Sequence, residues 1–183
     1  MTCFSLRFPQ LEILELLGKG GMGAVYKARQ PGLDRMVALK ILPPELGKAP
    51  SFAERFTIEA RALARLAHNH IVTVYDFGQV NGLFFILMEY VEGVNLAELV
   101  TQRGLLPVAE SCELIRQAAI GLQHVHEQHL VHRDIKPANL LVSPAGVVKI
   151  LDLGLATLKT GTSGGELTTD RQFLGTVDYA APE

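Results

Sequence analysis

A short loop, residues 132–139, brings together side chains that could transfer a phosphoryl group. Within it Asp134 can accept the proton of a hydroxyl, and Lys136 offers a positive charge to a migrating phosphate. Asn139, together with Asp152 a short way on, provides the hard oxygen ligands that Mg²⁺ prefers. The residue types and their spacing therefore predict a metal-assisted phosphoryl-transfer loop, which needs a scaffold to position it.

The composition indicates a globular protein. The chain has 183 residues, of which 48% are hydrophobic, and its mean hydropathy is +0.22. This size suits one domain or two small lobes. A net charge of -2 and a pI near 6.3 lack the basic excess of nucleic-acid binders and of polybasic membrane patches. We therefore do not expect nucleic acid as a partner.

The chain carries no recognisable targeting signal. Residues 1–5 lack the features of a signal peptide, Thr2 rather than glycine follows Met1, and no apolar run is long enough to span a bilayer. We expect a cytoplasmic protein with no membrane segment, in which Cys3 and Cys112 are reduced and Cys112 is buried on an apolar helix face.

Short apolar runs separated by turn signals predict strands in the first half of the chain. Asn81-Gly82 joins the last two runs and is a strong hairpin signal. Ser51 and Glu54 have the spacing of a capping box, and apolar residues at helical spacing follow, so we expect a helix over residues 51–67. The predicted strands are residues 11–17, 24–28, 36–42, 71–77 and 83–89.

After a predicted hinge at Glu92-Gly93, the pattern becomes helical. A short helix is expected over residues 94–101 and a long one over 107–128. A small hairpin is expected from residues 140–142 and 147–150, and the glycine-rich residues 161–165 are typical of a mobile loop. The apolar face of the long helix is assigned to Cys112, Ile115, Ala119, Leu122 and Val125.

Residues 18–23 form a G-x-G-x-x-G pattern, which alone is weak evidence for a phosphate site. A dinucleotide-binding fold would need a helix directly after the glycines, whereas residues 24–28 have strand character. The pattern favours a flexible flap that closes a β-hairpin over phosphates, with an ordinary hairpin turn as the alternative.

Lys40 ends the run Val37-Ala38-Leu39-Lys40 on the predicted third strand, where an ammonium could pair with α- and β-phosphates. Glu59 lies mid-helix on the same face as apolar residues, so its carboxylate should face inward and need a cation. We predict a Lys40–Glu59 ion pair. The alternative is that Glu59 is an exposed helix residue.

These motifs, in this order, resemble the eukaryotic-type protein kinases. The likeness covers nearly the whole chain and includes the glycine flap, Lys40, Glu59, the loop 132–139, Asp152-Leu153-Gly154 and Ala181-Pro182-Glu183. A lysine at position 136 is similar to the serine/threonine branch of the family, and the sequence of residues 18–26 resembles that of bacterial members. The resemblance implies an α+β bilobal fold. Residues 1–90 would form a complete N-lobe of five strands and one helix, and 91–183 the hinge and the first part of a mainly helical, incomplete C-lobe.

The resemblance implies a role for each matching residue, with ATP and Mg²⁺ as cofactors. Asp134 would be the catalytic base, helped by Lys136, while Asn139 and Asp152 would bind Mg²⁺ and Glu59 would hold Lys40 as a phosphate clamp. The residues implied for the nucleotide are Leu17, Gly18, Lys19, Gly20, Gly21, Met22, Gly23, Val25, Ala38, Lys40, Met88, Glu89, Tyr90, Val91, Leu141 and Asp152.

Two further features concern regulation and a possible metal site. Arg133 beside the catalytic aspartate resembles kinases that are activated by phosphorylation, for which Thr168 and Thr169 are the candidate acceptors. His124, His126 and His129 could suggest a metal site. Histidines near a helix C-terminus are favoured by the helix dipole, so a solvated helix end is the preferred interpretation.

Three functions remain open at the level of sequence. The first is a protein serine/threonine kinase, or its N-terminal part, because the chain stops where the family's large lobe continues. The second is a nucleotide- or partner-binding fragment with little turnover, in which a partner or missing segment covers the C-lobe. The third is a small-molecule phosphotransferase, against which Lys136 and the Ala-Pro-Glu ending speak.

Overall fold

The computed structural model describes residues 8–21, 23–49, 51–153 and 179. The chain forms two compact units. The first contains residues up to 65 together with 73–90, and the second contains 66–72 together with the residues from 91 onward. Met22, Thr168, Thr169, Gly154, residues 161–165 and residues 181–183 lie outside the described residues.

The first unit is built on a five-stranded antiparallel sheet in the order β1-β2-β3-β5-β4. Over the described residues of this unit, the prediction of five strands and one α-helix is confirmed. Asn81 and Gly82 both have positive φ, as the predicted tight hairpin between the last two strands requires. The elements are β1 (Glu12–Gly20), β2 (Gly23–Gln30), β3 (Arg35–Ile41), α1 (Phe52–Ala64), β4 (Val74–Val80) and β5 (Leu83–Glu89).

Helix α1 begins without the predicted capping box. Ser51 has helical backbone angles, φ -86° and ψ -2°, and its side chain makes no cap hydrogen bond. An N-cap residue normally has extended backbone angles, which aim its hydroxyl at the first free amides. The capping prediction was therefore wrong, and α1 is held instead by its aromatic residues: the rings of Phe52 and Phe56 pack edge-on against Phe84 of β5, with centroids 4.9 and 5.0 Å away.

The core of the first unit lies on one face of the sheet. Val37, Leu39 and Ile41 alternate along β3 and are buried on this face, and Phe8 packs edge-on against Phe85 with ring centroids 5.1 Å apart. Because side chains alternate between faces along a strand, Ala38 and Lys40 lie on the opposite face. The full core cluster is Phe8, Leu11, Ala28, Val37, Leu39, Ile41, Phe85 and Leu87.

Among its described residues, the second unit combines a small three-stranded sheet, in the order β6-β7-β8, with two α-helices. Residues 66–72 belong to it because Ile71 bridges Ile150, and the Val72 amide donates to the Ile150 carbonyl at 3.1 Å. The predicted strand 71–77 is therefore divided, and its regular part starts at Val74 in the first unit. The elements are β6 (Val94–Asn95), α2 (Leu96–Arg103), α3 (Val108–Glu127), β7 (Leu140–Val142) and β8 (Val148–Ile150).

Helix α3 buries a different face from the predicted one. Its buried residues are Leu114, Ala118, Gly121 and Val125, whereas Cys112 is exposed and Ile115 is 55% exposed. A β-carbon on Gly121 would lie 2.8 Å from Ile150 Cδ1 and 3.1 Å from His70 Cβ, so this glycine permits the close approach of α3 to β8. Of the predicted face, Val125 is buried and Leu122 half-buried, whereas Cys112, Ile115 and Ala119 are exposed, so the prediction was wrong at those three. The reason is that α3 carries apolar residues on two faces and its small residues select the one that packs on β8.

No helix in the described part of the chain is long and apolar enough to cross a membrane.

Candidate active site

The second unit holds Asp134 in a hydrogen-bonded loop. Its side chain is nearly buried, with the residue 8% exposed. Asn139 Nδ2 donates to the Asp134 backbone oxygen at 2.7 Å and to its Oδ2 at 3.2 Å. Lys136 Nζ lies 2.8 Å from the same Oδ2. The structure therefore brings three of the predicted catalytic residues into direct contact, around one carboxylate.

His132 is the buried support of this loop. It is 2% exposed, its Nδ1 accepts a hydrogen bond from the Asp134 amide at 3.2 Å, and its Nε2 lies 2.8 Å from the Leu151 carbonyl oxygen. Because Nδ1 must accept, the proton of the neutral ring is on Nε2, which donates to Leu151. Burial lowers the pKa of His132, which favours this neutral form. The ring thus joins the Asp134 segment to the residue before Asp152.

Asn139 and Asp152 are linked through the β7–β8 hairpin that carries them. The Leu151 amide donates to the Asn139 carbonyl oxygen at 2.9 Å, and Leu140 pairs with Ile150 in the sheet. Because Asn139 uses its amide nitrogen on Asp134, its Oδ1 oxygen is the atom left to act as a ligand. The described residues contain no cluster of three histidine, cysteine, aspartate or glutamate side chains that could hold a metal.

Two residues of this region have backbone angles that non-glycine residues rarely adopt. Arg133 has φ 66° and Asp152 has φ 57°. Each such residue costs on the order of 1–3 kcal/mol and persists where the surrounding structure enforces it, often at functional sites. In this loop the enforcing contacts are the His132 hydrogen bonds on either side. The predicted phosphate contact of Arg133 stays a prediction, since Thr168 and Thr169 lie outside the described residues.

In the first unit the glycine pattern forms the end of a β-hairpin. Gly18, Lys19 and Gly20 end β1, Gly21 is in the turn, and Gly23 begins β2 and pairs with Gly20. A strand therefore follows the glycines, which contradicts the dinucleotide-binding alternative. Gly23 has φ 104°, and a β-carbon there would collide with the Ile41 carbonyl. Gly18 and Gly20 have open space around the missing β-carbon, as a backbone that approaches phosphates would need.

The sheet face opposite the core carries four of the predicted nucleotide residues of the first unit. Val25 pairs with Lys40 and Ala38 pairs with Met88, so these four side chains share one face. Lys40 is 2% exposed there. Phe84 of β5 lies on this same face and contacts α1, so the helix that carries the half-buried Glu59 packs on the side of Lys40. The Lys40–Glu59 pair stays a prediction.

The end of β5 at Glu89, which was predicted to contact adenine, is hydrogen-bonded to the residue before β4. The Glu89 amide donates to the Thr73 carbonyl oxygen at 2.9 Å, and the Thr73 amide donates to Glu89 Oε2 at 3.2 Å. Tyr90 follows and is half-buried, while Leu17 on β1 is 45% exposed. In the second unit Val91 and Leu141 are both half-buried, and Leu141 pairs with Asn95.

The histidines near the end of α3 differ in their surroundings. His126 and His129 are exposed, as a solvated helix end predicts. His124 instead stacks on His68, with ring centroids 5.1 Å apart and planes inclined by 17°. Burial, followed by the proximity of His124 and His70, lowers the pKa of His68. Sequence reasoning missed this contact because the two histidines are distant in the chain.

Comparison with known proteins agrees with this geometry. A family model described as "Protein kinase domain" matches residues 11–183. The serine/threonine-protein kinase PrkC of Bacillus subtilis (strain 168) is 40% identical over 172 residues, which are 94% of this chain and 26% of that protein. The serine/threonine-protein kinase PknB of Mycobacterium tuberculosis (strain ATCC 25618 / H37Rv) is 39% identical over 187 residues, covering 100% of this chain and 30% of that protein.

A solved structure shows the same fold. The crystal structure of the M. tuberculosis PknI kinase domain has a TM-score of 0.76 and 32% sequence identity, and the match covers 86% of this chain and 63% of that one. The chain spans between about a quarter and a third of the length of the curated relatives named above. The fold is therefore kinase-like, as predicted, and the chain belongs to the protein kinase domain family.

Proposed function

We propose that this chain supplies the nucleotide-binding and catalytic residues of a serine/threonine protein kinase, which transfers the γ-phosphate of ATP to protein hydroxyls. The observation that carries the proposal is the arrangement around Asp134, where Lys136 and Asn139 both contact one nearly buried carboxylate. A carboxylate held in this way is positioned before substrate arrives, and such positioning supplies most of the rate in phosphoryl transfer.

Asp134 orients the substrate hydroxyl and accepts its proton. As the hydroxyl oxygen bonds to the γ-phosphorus, the bond from that phosphorus to the β–γ bridging oxygen breaks, and ADP leaves with the electron pair. Lys136, 2.8 Å from Asp134 Oδ2, places a cation where negative charge develops on the transferred group. Asn139 Nδ2 donates to the Asp134 backbone oxygen and to its Oδ2, and so orients both the loop and the carboxylate.

The donor set fits a magnesium-bound nucleotide. Asn139 Oδ1 and the Asp152 carboxylate offer two hard oxygen ligands, and the Leu151–Asn139 hydrogen bond ties Asn139 to the residue before Asp152. Mg²⁺ usually takes one or two protein oxygens and completes its shell with water and phosphate, so two ligands suffice. When bound, the ion neutralises charge on the β- and γ-phosphates. Lys40 and the backbone of Gly18 and Gly20 are the proposed phosphate contacts of the first unit.

The proposed acceptors are serine and threonine side chains of proteins. Lys136 is the residue that resembles serine/threonine kinases, and the relatives PrkC and PknB are named serine/threonine-protein kinases. The residues of the first unit that would face adenine are apolar: Val25, Ala38 and Met88 share one sheet face. Apolar walls with a few fixed polar groups are typical of cofactor sites.

The test is phosphate transfer from Mg-ATP to a generic protein substrate by the full-length protein. We expect ADP and phosphoprotein to form in equal amounts, with phosphate recovered on serine and threonine. Nucleotide binding without ADP would favour the binding-fragment alternative. ADP formed only in the presence of small metabolites, with no phosphoprotein, would favour a small-molecule phosphotransferase and overturn the proposal.

A further inference from the structure

One charged residue on the proposed nucleotide face has no role in the function proposed above. Lys27 on β2 pairs with Glu15 of β1 on one side and with Ala38 of β3 on the other, and Ala38 pairs with Met88 of β5. Residues paired across antiparallel strands share a face, so these four side chains form one row across the sheet. Lys27 is therefore the direct neighbour of Ala38, a proposed adenine contact.

The ammonium of Lys27, the second residue of this row, contacts side chains on both sides. Its Nζ lies 3.4 Å from Glu15 Oε1 and 4.6 Å from the ring centroid of Tyr90. Tyr90 comes two residues after Met88, so its ring continues the same face just beyond the end of β5. The three residues form a bridge from the β1–β2 hairpin to the segment after β5, which we call the Lys27 bridge.

The neighbours of Lys27 in the Lys27 bridge stabilise its protonated, positively charged form. A hydrogen bond to Tyr90 is the largest cause that raises the pKa of Lys27 above its ordinary value of 10.5, and Glu15 adds to the effect. An ammonium over an aromatic face is attracted by the ring's negative charge distribution, which fixes the ring's position as well. The Tyr90 ring is thereby tied to β2, although neither Lys27 nor Glu15 is deeply buried.

We propose that Lys27 is a positioning residue for the nucleotide: held by Glu15, it fixes Tyr90 and so preorganises the outer edge of the adenine site. The inference rests on the proposed function, because it takes Glu89, Tyr90 and Val91 as the segment that hydrogen-bonds the adenine edge. Preorganisation raises affinity by removing the ordering cost that a loose segment would pay on binding. The bridge should therefore act on nucleotide affinity rather than on the transfer step.

The test measures the affinity of the full-length protein for a fluorescent ADP analogue with Mg²⁺. Lys27→Met keeps an unbranched side chain, one atom shorter, but removes the cation, and should weaken binding about two- to fivefold, the range that an exposed cation–π contact spans. Lys27→Arg retains a cation and should restore most of the affinity. Lys48→Met makes the same replacement at an exposed lysine of the first unit and should leave the affinity unchanged.

A double-mutant cycle with Tyr90→Leu separates positioning from general stability. If Lys27 acts through Tyr90, Lys27→Met in the Tyr90→Leu background should cause no further loss of affinity. Equal affinity of Lys27→Met and the unmutated protein, or losses that multiply in the double variant, would overturn the inference while leaving the proposed function intact. Failure of the unmutated protein to bind the nucleotide would instead refute the nucleotide site itself.

Discussion

Replacing His132 with phenylalanine should damage both the stability and the activity of the second unit. The imidazole makes two hydrogen bonds, one from the buried Asp134 amide and one to the Leu151 carbonyl, and a phenyl ring can make neither. A partner left unsatisfied in a buried position costs about 1–3 kcal/mol, which applies in full to the Asp134 amide and in part to the half-buried Leu151 carbonyl. The larger apolar ring offsets part of this loss. We therefore expect the free energy of unfolding to fall by about 2–4 kcal/mol.

The rate of phosphate transfer should fall by more than the loss of folded protein would cause. Without the His132 contacts, Asp134 keeps its link to Leu151 through Asn139 but loses the direct link through the imidazole ring, so its backbone can shift relative to Asp152. A displacement of about 1 Å of a reacting group can cost on the order of 100-fold. We expect the rate of phosphate transfer at saturating Mg-ATP to drop by about 10- to 100-fold under conditions where the variant is still folded.

The assay is urea unfolding of the full-length protein, followed by circular dichroism, alongside steady-state phosphate transfer. His126→Phe is the matched control, since His126 is exposed near the end of α3 and its replacement should change neither quantity. A loss of less than about 0.5 kcal/mol for His132→Phe, the range of an ordinary surface substitution, would refute the assignment of the two hydrogen bonds.

Two further predictions concern acidity and the β1–β2 hairpin. Because burial lowers the pKa of His132 below its ordinary 6.5, the unfolded chain binds more protons than the folded one just below that pH, so stability should decline as pH falls through 6.5. The free energy of unfolding, measured in urea, should therefore decline less steeply with falling pH in His132→Phe than in the unmutated protein. Equal slopes in the two proteins would contradict this prediction. Gly23→Ala should destabilise the first unit by more than about 1 kcal/mol, because φ is 104° and the β-carbon would meet the Ile41 carbonyl. Gly32→Ala is the control, because the space around Gly32 is open. Equal melting temperatures of the Gly23→Ala and Gly32→Ala variants would contradict the prediction, since they would show that the backbone at Gly23 accommodates a β-carbon.

The elements that the sequence predicted well are those with strong local signals. Asn81-Gly82 requires two positive φ angles that few other residue pairs adopt, so the β4–β5 hairpin followed directly from the sequence. The order of strands before residue 43 followed in the same way from turn residues between apolar runs. The sequence also located the Asp134 loop, because Asp134, Lys136 and Asn139 are close in the chain and interact locally.

The features that were missed depend on contacts between distant segments. Helix α3 has two apolar faces, and only the packing of Gly121 against Ile150 and His70 decides which one is buried. The strand predicted from residue 71 is divided because Ile71 pairs with Ile150, far along the chain. The stack of His68 on His124 has the same origin. No local pattern contains this information.

The Lys27 bridge was also beyond sequence reasoning. A lysine on a strand is usually a solvated residue, and only the register that places Lys27 opposite both Glu15 and Ala38 gives it a neighbour on the proposed adenine face. Its contact with Tyr90 then joins a strand to a segment that follows β5. Register and distant pairing, rather than residue type, determine this role.

The most direct test of the proposed catalytic centre is phosphate transfer by Asp134→Asn in the full-length protein. The amide keeps the size of the side chain but cannot accept the hydroxyl proton, so the rate at saturating Mg-ATP should fall by about 100- to 10,000-fold, the usual contribution of a positioned base. Glu54→Gln, which neutralises an exposed carboxylate on α1, should retain the full rate. Equal rates for Asp134→Asn and the unmutated protein, with both folded and binding nucleotide, would contradict the account.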